Sequence, residues 1–234
     1  MKWYYTQNIN EKQAVIDGDE NKHLCLVMRA KVGDRIVCFN GNGIVSECEI
    51  AEIGKNQTKL NVLKTTTHEK QKTELVLVAA AIKGERQDTL IRQATELGVT
   101  KIILTETERS EVRLKGEKKD KIMRQFVACC KQCHRPFLPE IEFSSIEVAM
   151  QECSNFVKIF GDIGAKTGVL DIDFGKIQNN DVVVFVGPEG GFTESEEEFF
   201  KNSGAIGVSL GSNILRADTA CAMLVSLIKA IKQW

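Results

Sequence analysis

Residues 75–82 read Leu-Val-Leu-Val-Ala-Ala-Ala-Ile and residues 182–186 read Val-Val-Val-Phe-Val, with no polar side chain in either run. A strand that is apolar on both faces must be covered on both faces, the condition of a parallel sheet lying between helices. The segments around these runs fit that demand. "GERQDTLIRQATELG" sets Leu90, Ile91, Ala94 and Leu97 at helical spacing, with a glycine at the C-cap position. "KIILT" (101–105) and "VKIF" (157–160) read as further strands, and the basic segment over roughly 117–134 reads as a helix. After the 182–186 run, Thr193 is placed to N-cap a helix whose first turn is acidic. "IGVSLG" (206–211) is the last clear strand, and "DTACAMLVSLIKAIKQW" closes the chain as an amphipathic helix. Strands alternating with helices predict an α/β domain with a mostly parallel sheet.

The first third has a different rhythm. "RIVCFNGNGIVSECEIAEI" offers two strands around Asn40-Gly41-Asn42-Gly43, a repeat suited to a hairpin turn with positive φ. "KLNVL" follows another turn at Gly54-Lys55-Asn56, and then comes the polar, aperiodic "KTTTHEKQKTE". A domain boundary is therefore expected near residue 72, with a β-rich unit before it and the α/β unit over 73–234.

A composition of 43% hydrophobic and 27% charged residues is that of a soluble globular protein. The N-terminus carries no apolar stretch of the secretory kind, and no run approaches the roughly 20 apolar residues that span a bilayer. A cytoplasmic location is expected, with the eight cysteines reduced. Cys130-Lys-Gln-Cys133-His134 matches the C-x-x-C-H spacing of haem attachment. That chemistry requires export, and no second pair completes a zinc site, so neither haem nor metal is expected. His23, His68 and His134 are too scattered for a histidine triad.

Charge is unevenly spread along the chain. Eleven Lys and Arg face nine Asp and Glu over residues 1–73, thirteen face ten over 74–140, and seven face thirteen over 141–234. The densest basic run, "RLKGEKKDKIMR", holds Arg113, Lys115, Lys118, Lys119, Lys121 and Arg124. It reads either as a solvated helix face or as a patch that tracks phosphates.

In α/β sheets, ligands bind outside the carboxyl ends of the strands. Two loops stand there: "VGPEGGF" (186–192) and "SLGSNILRADTA" (209–220). Neither a G-x-x-x-x-G-K-[ST] phosphate loop nor a strand-linked G-x-G-x-x-G is present, and G-x-S-x-G and H-E-x-x-H are missing too. "GPEGGFTESE" followed by "LGSNILRADTA" resembles the paired signature of the small-subunit ribosomal RNA methyltransferase E family, which belongs to the SPOUT class. "NKHLCLVMRAKVGDRIVCFNGNG" resembles the family's N-terminal PUA-like module, with His23, Leu24, Arg29, Gly33 and Asp34 in place. "QATELGVTKIILTETERSEV" resembles its K-A-T-E-L-G-V and T-E-R-S stretch, so the likeness spans essentially the whole chain.

The resemblance implies a PUA-like, RNA-binding β-barrel over 1–72 joined to a SPOUT α/β domain over 73–234 whose C-terminal part threads a trefoil knot. It implies methylation of N3 of a uridine in 16S rRNA of the small ribosomal subunit, from S-adenosylmethionine, with S-adenosylhomocysteine as product. It also implies a homodimer with the cofactor pocket at the subunit interface. In that reading Gly161, Gly187, Pro188, Glu189, Gly190 and Gly191 hold the cofactor from one side. Leu210, Gly211, Ser212, Asn213, Ile214 and Leu215 hold it from the other. Arg216 would stabilise charge developing on the uridine and Glu189 would accept its N3 proton. Alternatively Arg216 forms a salt bridge to Asp218 or Glu189, and Glu189 braces the loop or hydrogen-bonds the cofactor. Arg29, Arg113, Lys118, Lys119, Arg124, Gln132 and Arg135 are the expected RNA contacts, with Gln132 and Arg135 alternatively bracing the active site. Leu224, Leu227, Ile228 and Ile231 on the last helix face either a partner or the chain's own core.

The chain also departs from the family pattern. Where the family commonly reads L-G-x-R-I-L-R-T-E-T-A, Asn213 replaces an arginine, Ala217 a threonine and Asp218 a glutamate. Lys131 stands where an acid is expected. A SPOUT methyltransferase with another RNA target, or a ribosome-associated RNA-binding protein without activity, stays open as an alternative.

Overall fold

The computed structural model describes residues 1–114 and 119–232. Two units emerge, one of Met1–Gln71 with Val127–Leu138, the other of Lys72–Phe126 with Pro139–Trp234. Lys115 and Lys118 of the basic run lie outside the described residues.

The first unit contains β1 (Trp3–Tyr5), β2 (Gln13–Asp17), α1 (Gly18–Lys22), a π-helical turn (His23–Val27), β3 (Arg35–Phe39), β4 (Ile44–Ile53) and β5 (Gln57–Thr67). Its sheet runs β1-β3-β4-β5-β2, antiparallel except between β1 and β3. Alternation along β4 buries Ser46, Cys48 and Ile50, and Tyr4, Ile16, Leu24, Ile36 and Leu60 complete the core on that face.

The Asn-Gly repeat makes the expected hairpin between β3 and β4, and it also serves a second purpose. Gly41 and Gly43 have φ of 76° and 96°. A Cβ at Gly41 would lie 2.8 Å from Leu138, and one at Gly43 would lie 2.6 Å from the Phe137 ring. Residues 136–138 thus lie directly on the turn, with Gly43 N donating to Pro136 O at 3.1 Å and Leu138 N to Gly41 O at 2.9 Å. Lys131 Nζ adds bonds of 2.7 and 2.8 Å to the two Glu20 carboxylate oxygens and sits 5.3 Å from the Tyr4 ring centroid. The basic residue at that departure from the family pattern therefore anchors 127–138 to this unit. Cys129 and Cys130 are buried here, and burial pushes the Cys130 thiol up to about 12. Among the described residues no cluster of His, Cys, Asp or Glu suits a metal.

The second unit runs β6 (Leu75–Ala80), α2 (Glu85–Glu96), β7 (Lys101–Thr105), the first half of α3 (Lys119–Cys133, of which Val127 onward belongs to the first unit), β8 (Glu140–Phe143), α4 (Ile146–Glu152), β9 (Val157–Gly161), α5 (Phe174–Asn179), β10 (Val182–Val186), α6 (Glu194–Asn202), β11 (Ile206–Val208) and α7 (Ala217–Lys232). The sheet order is β11-β9-β10-β6-β7-β8 and every pairing is parallel. Both apolar runs lie in its centre, with β6 and β10 buried along their whole length.

In this unit β8, α4 and α5 were not expected from sequence, nor were β1, β2 and α1 in the first. β8 reads Glu-Ile-Glu-Phe at the sheet edge, where one face is enough to bury, and α4 and α5 have only seven and six residues. "IGVSLG" is shorter as a strand than expected: only Ile206–Val208 pairs with β9, and the rest turns into a loop. Thr193 does cap α6, its Oγ1 accepting from Glu196 N at 3.3 Å while Glu196 accepts from Thr193 N at 2.8 Å. α7 packs on α2, and its Leu224 and Ile228 are fully buried. For those two side chains the choice between partner and core falls to the core.

No helix among the described residues is long and apolar enough to cross a membrane.

Candidate active site

β11, β9 and β10 are neighbours in the sheet, so the loops at their carboxyl ends open side by side. These loops enclose a cavity of about 350 Å³, within the range of small-molecule sites. Gly161, Asp162 and Ile163 line it from the loop after β9. Gly187, Pro188, Glu189, Gly191 and Phe192 line it after β10, and residues 209–215 after β11. Ala217, Ala220 and Leu224 of α7 form a further wall.

Eleven of the twelve residues expected to hold a cofactor thus meet around one space; Gly190 alone does not line it. A Cβ on Gly190 would lie 3.4 Å from the Arg109 side chain, in ordinary contact, so this residue faces Arg109. Gly161 and Gly211 behave differently: a Cβ at either would have no atom within 4 Å. Both border the cavity, and Gly211 has a φ of 115° that other residues rarely adopt.

Behind the cavity lies an aromatic cluster. Phe200 stacks on Phe160 at 4.9 Å, meets Phe192 edge-on at 4.8 Å and lies 5.0 Å from Phe185. Phe192 belongs to both the cluster and the cavity wall, which ties the shape of the 187–192 loop to the core.

Asp162 is a cavity residue that the sequence reading passed over. It is buried, with Oδ1 accepting from Gly164 N at 2.7 Å and Oδ2 3.5 Å from Lys201 Nζ. Gly207 leaves room for it, because a Cβ there would lie 2.9 Å from Asp162 Oδ2. The available signal was an acid directly after an apolar strand, at the sheet end where ligands bind.

Glu189 projects from the cavity loop and is paired, its Oε1 lying 2.9 Å from Arg86 Nη1 in the first turn of α2. Arg216 is exposed just before α7 and, among the described residues, makes no ion pair with Asp218 or Glu189. Asp218 has Oδ1 buried without a hydrogen-bond partner among them.

The expected RNA contacts are distributed over both units. Arg29 is exposed in the first unit with a φ of 50°. Gln132 is also exposed there, whereas Arg135 is half-buried against Cys130 and Cys133. In the second unit Arg113 pairs with Glu106 at 2.9 Å, and Lys119 and Arg124 are exposed on α3. Lys118 lies outside the described residues.

Residues 69–229 match an RNA methyltransferase domain and residues 16–63 an RNA methyltransferase PUA domain. Ribosomal RNA small subunit methyltransferase E of Rickettsia conorii is 31% identical over 210 residues, 88% of this chain and 84% of that protein. The chain belongs to the ribosomal RNA small subunit methyltransferase E family. The methyltransferase E of Bacillus subtilis is 27% identical over 91% of this chain and 88% of its own length. The crystal structure of the methyltransferase E of Neisseria gonorrhoeae, bound to S-adenosyl methionine, has the same fold. Its TM-score is 0.87 at 24% identity, covering 98% of this chain and 97% of that one. Within this methyltransferase E family member, the two signature segments that sequence sets some twenty residues apart line a single cavity.

Proposed function

We propose that this protein transfers the methyl group of S-adenosylmethionine to N3 of a uridine in 16S rRNA of the small ribosomal subunit, releasing S-adenosylhomocysteine. The observation that carries this reading is the cavity at the carboxyl ends of β9, β10 and β11, walled by both family signatures. The space beside Gly161 and Gly211, where side chains would intrude, suits a ligand pressed against backbone. Apolar walls at Ile163, Val186, Phe192 and Leu215 suit a purine, and the Asp162, Ser209 and Asn213 side chains suit its polar portions.

When bound, S-adenosylmethionine supplies a methyl group on a sulfonium, already activated for in-line displacement. The chain's own residues then orient, exclude water and manage one proton. Uridine N3 carries that proton between two carbonyls, and its loss leaves negative charge on the ring oxygens. Glu189 accepts the proton, held at the cavity lip by its bond from Arg86. Arg216 stabilises the ring charge through a guanidinium not engaged in an ion pair among the described residues.

The same reading includes a trefoil knot in the 73–234 domain and a homodimer. Ser209 N donates to Thr167 O at 2.8 Å, drawing the segment after β11 against the loop after β9, which supports the threading. Ile163, Ile214, Leu170 and Met223 are 70%, 76%, 65% and 40% exposed, and the first two line the cavity. Apolar side chains so exposed beside a site support a partner subunit covering it. The PUA-like unit and the exposed Arg29, Arg113, Lys119, Arg124 and Gln132 suit an RNA backbone in the cytoplasm.

Nucleoside analysis of 16S rRNA from a strain lacking this protein tests the reading. Loss of 3-methyluridine, restored by the wild-type chain and not by the Glu189→Gln variant, is expected. Full retention of 3-methyluridine in the deletion strain overturns it.

A further inference from the structure

The loop after β7 reads Glu106-Thr-Glu-Arg-Ser110 and takes no part in the cavity wall, yet it bonds to the cavity loop at several points. Arg109 Nη1 donates to Gly190 O at 2.7 Å and to Phe192 O at 3.0 Å. These two carbonyls flank Gly191, a cavity residue with a φ of 68°. The arginine's stem passes 3.4 Å from where a Gly190 Cβ would stand, an ordinary contact distance, so the side chain lies directly along the loop.

The neighbours of Arg109 hold the same surface. Glu108 N donates to Glu196 Oε1 at 2.9 Å, and Ser195 Oγ donates to Glu108 Oε1 at 3.2 Å. Glu196 is the residue whose other oxygen caps Thr193 N, so the brace extends from the loop into the start of α6. The bracing turn is itself secured: Thr107 N donates to Ser110 Oγ and Ser110 N to Thr107 O, both at 3.0 Å, with Thr107 buried.

We propose that Arg109 is a positioning residue for methyl transfer, holding the Gly187–Phe192 loop in the conformation that receives the methyl donor. A carbonyl engaged by Arg109 cannot turn into the cavity, and the positive φ at Gly191 gives the unbraced loop other conformations to visit. A loop that must be ordered on binding costs affinity, and bracing it beforehand removes that cost. The inference rests on the S-adenosylmethionine reading for the identity of the ligand; the brace itself does not.

The test compares wild type with Arg109→Met, which keeps the stem and loses the donors, and Arg109→Lys, which keeps a donor. Calorimetric titration with S-adenosylmethionine is read beside hydrogen–deuterium exchange of residues 187–193 without ligand. Arg109→Met is expected to bind about tenfold more weakly, with faster exchange confined to the loop and an unchanged KM for RNA. Arg109→Lys recovers part of the affinity. Arg109→Met binding and exchanging as wild type does overturns the proposal, as does lost affinity with wild-type exchange in the loop. A wild-type protein that does not bind S-adenosylmethionine overturns the ligand reading instead, and the exchange arm still decides the brace.

Discussion

Arg86 Nη1 lies 2.9 Å from Glu189 Oε1, joining the first turn of α2 to the cavity loop after β10 across 103 positions of sequence. Both side chains are 43% exposed. A pair this wet contributes at most about 1 kcal/mol to folding, so its geometry matters more to the loop than to stability.

Glu189→Gln removes the proton acceptor while keeping size and shape. Its kcat for methyl transfer should fall roughly 10²- to 10⁴-fold, with the unfolding free energy changed by less than about 1 kcal/mol. Arg86→Ala should lower kcat less, because it frees the carboxylate without deleting it. Single-turnover rates on 16S rRNA substrate, beside a urea melt, check both. An active Glu189→Gln enzyme removes the carboxylate from the mechanism.

Gly161→Leu puts a side chain where a Cβ meets no atom within 4 Å, on backbone that needs no positive φ. The variant should fold as wild type does and have its cavity filled. Saturating S-adenosylmethionine, at about 100 times Kd, stabilises a binding protein by about 2.7 kcal/mol. Differential scanning fluorimetry should show that gain in wild type and not in Gly161→Leu. Gly211→Val should also lose it, at an added cost of roughly 1–3 kcal/mol for a branched residue at positive φ.

Phe200→Ala removes the ring shared by Phe160, Phe185 and Phe192. Truncating a buried phenylalanine costs about 3–5 kcal/mol, or roughly 6–20 °C in Tm for a chain of this size. Because Phe192 also walls the cavity, donor affinity should fall with stability. Calorimetric melting and titration on one preparation would show it, and a loss of stability with full affinity would separate the cluster from the site.

Lys101 Nζ sits 2.5 Å from Glu142 Oε2 and 2.9 Å from Glu152 Oε2, on the edge side of the sheet. The Lys101 ammonium holds the Glu142 carboxyl below its ordinary 4.5. A carboxylate depressed in the folded state stabilises above its unfolded value and loses that contribution as the pH falls through the folded one. Glu142→Gln should therefore cost up to about 1 kcal/mol at pH 7, with the difference from wild type shrinking as the pH is lowered below 4.5. Urea denaturation at pH 7 and pH 3.5 measures the two gaps, and equal gaps would refute the ion-pair assignment.

Much of the architecture was written locally. Two uninterrupted apolar runs demanded strands covered on both faces, and they occupy the middle of a parallel sheet. Thr193 and Glu196, three residues apart, were enough to start a helix. The paired glycine loops carried the family resemblance and named ten of the cavity residues, with Gly161 at the end of β9 as the eleventh. Local pattern was silent where burial is partial: β8 at the edge and the short α4 and α5 carry too few residues to show a period.

Tertiary structure decided whatever depends on pairs distant along the chain. Neither the composition of 127–138 nor its C-x-x-C-H spacing says that it lies on a glycine hairpin ninety residues earlier; missing Cβ atoms at Gly41 and Gly43 make that approach possible. The partners of Glu189 and of the Gly190 and Phe192 carbonyls are arginines from the first turn of α2 and from the loop after β7. Asp162 gained its place only when β9 came between β11 and β10. A residue type states what a side chain is able to do, but sheet order brings its partner within 3 Å, and that order is set by burying whole strands at once.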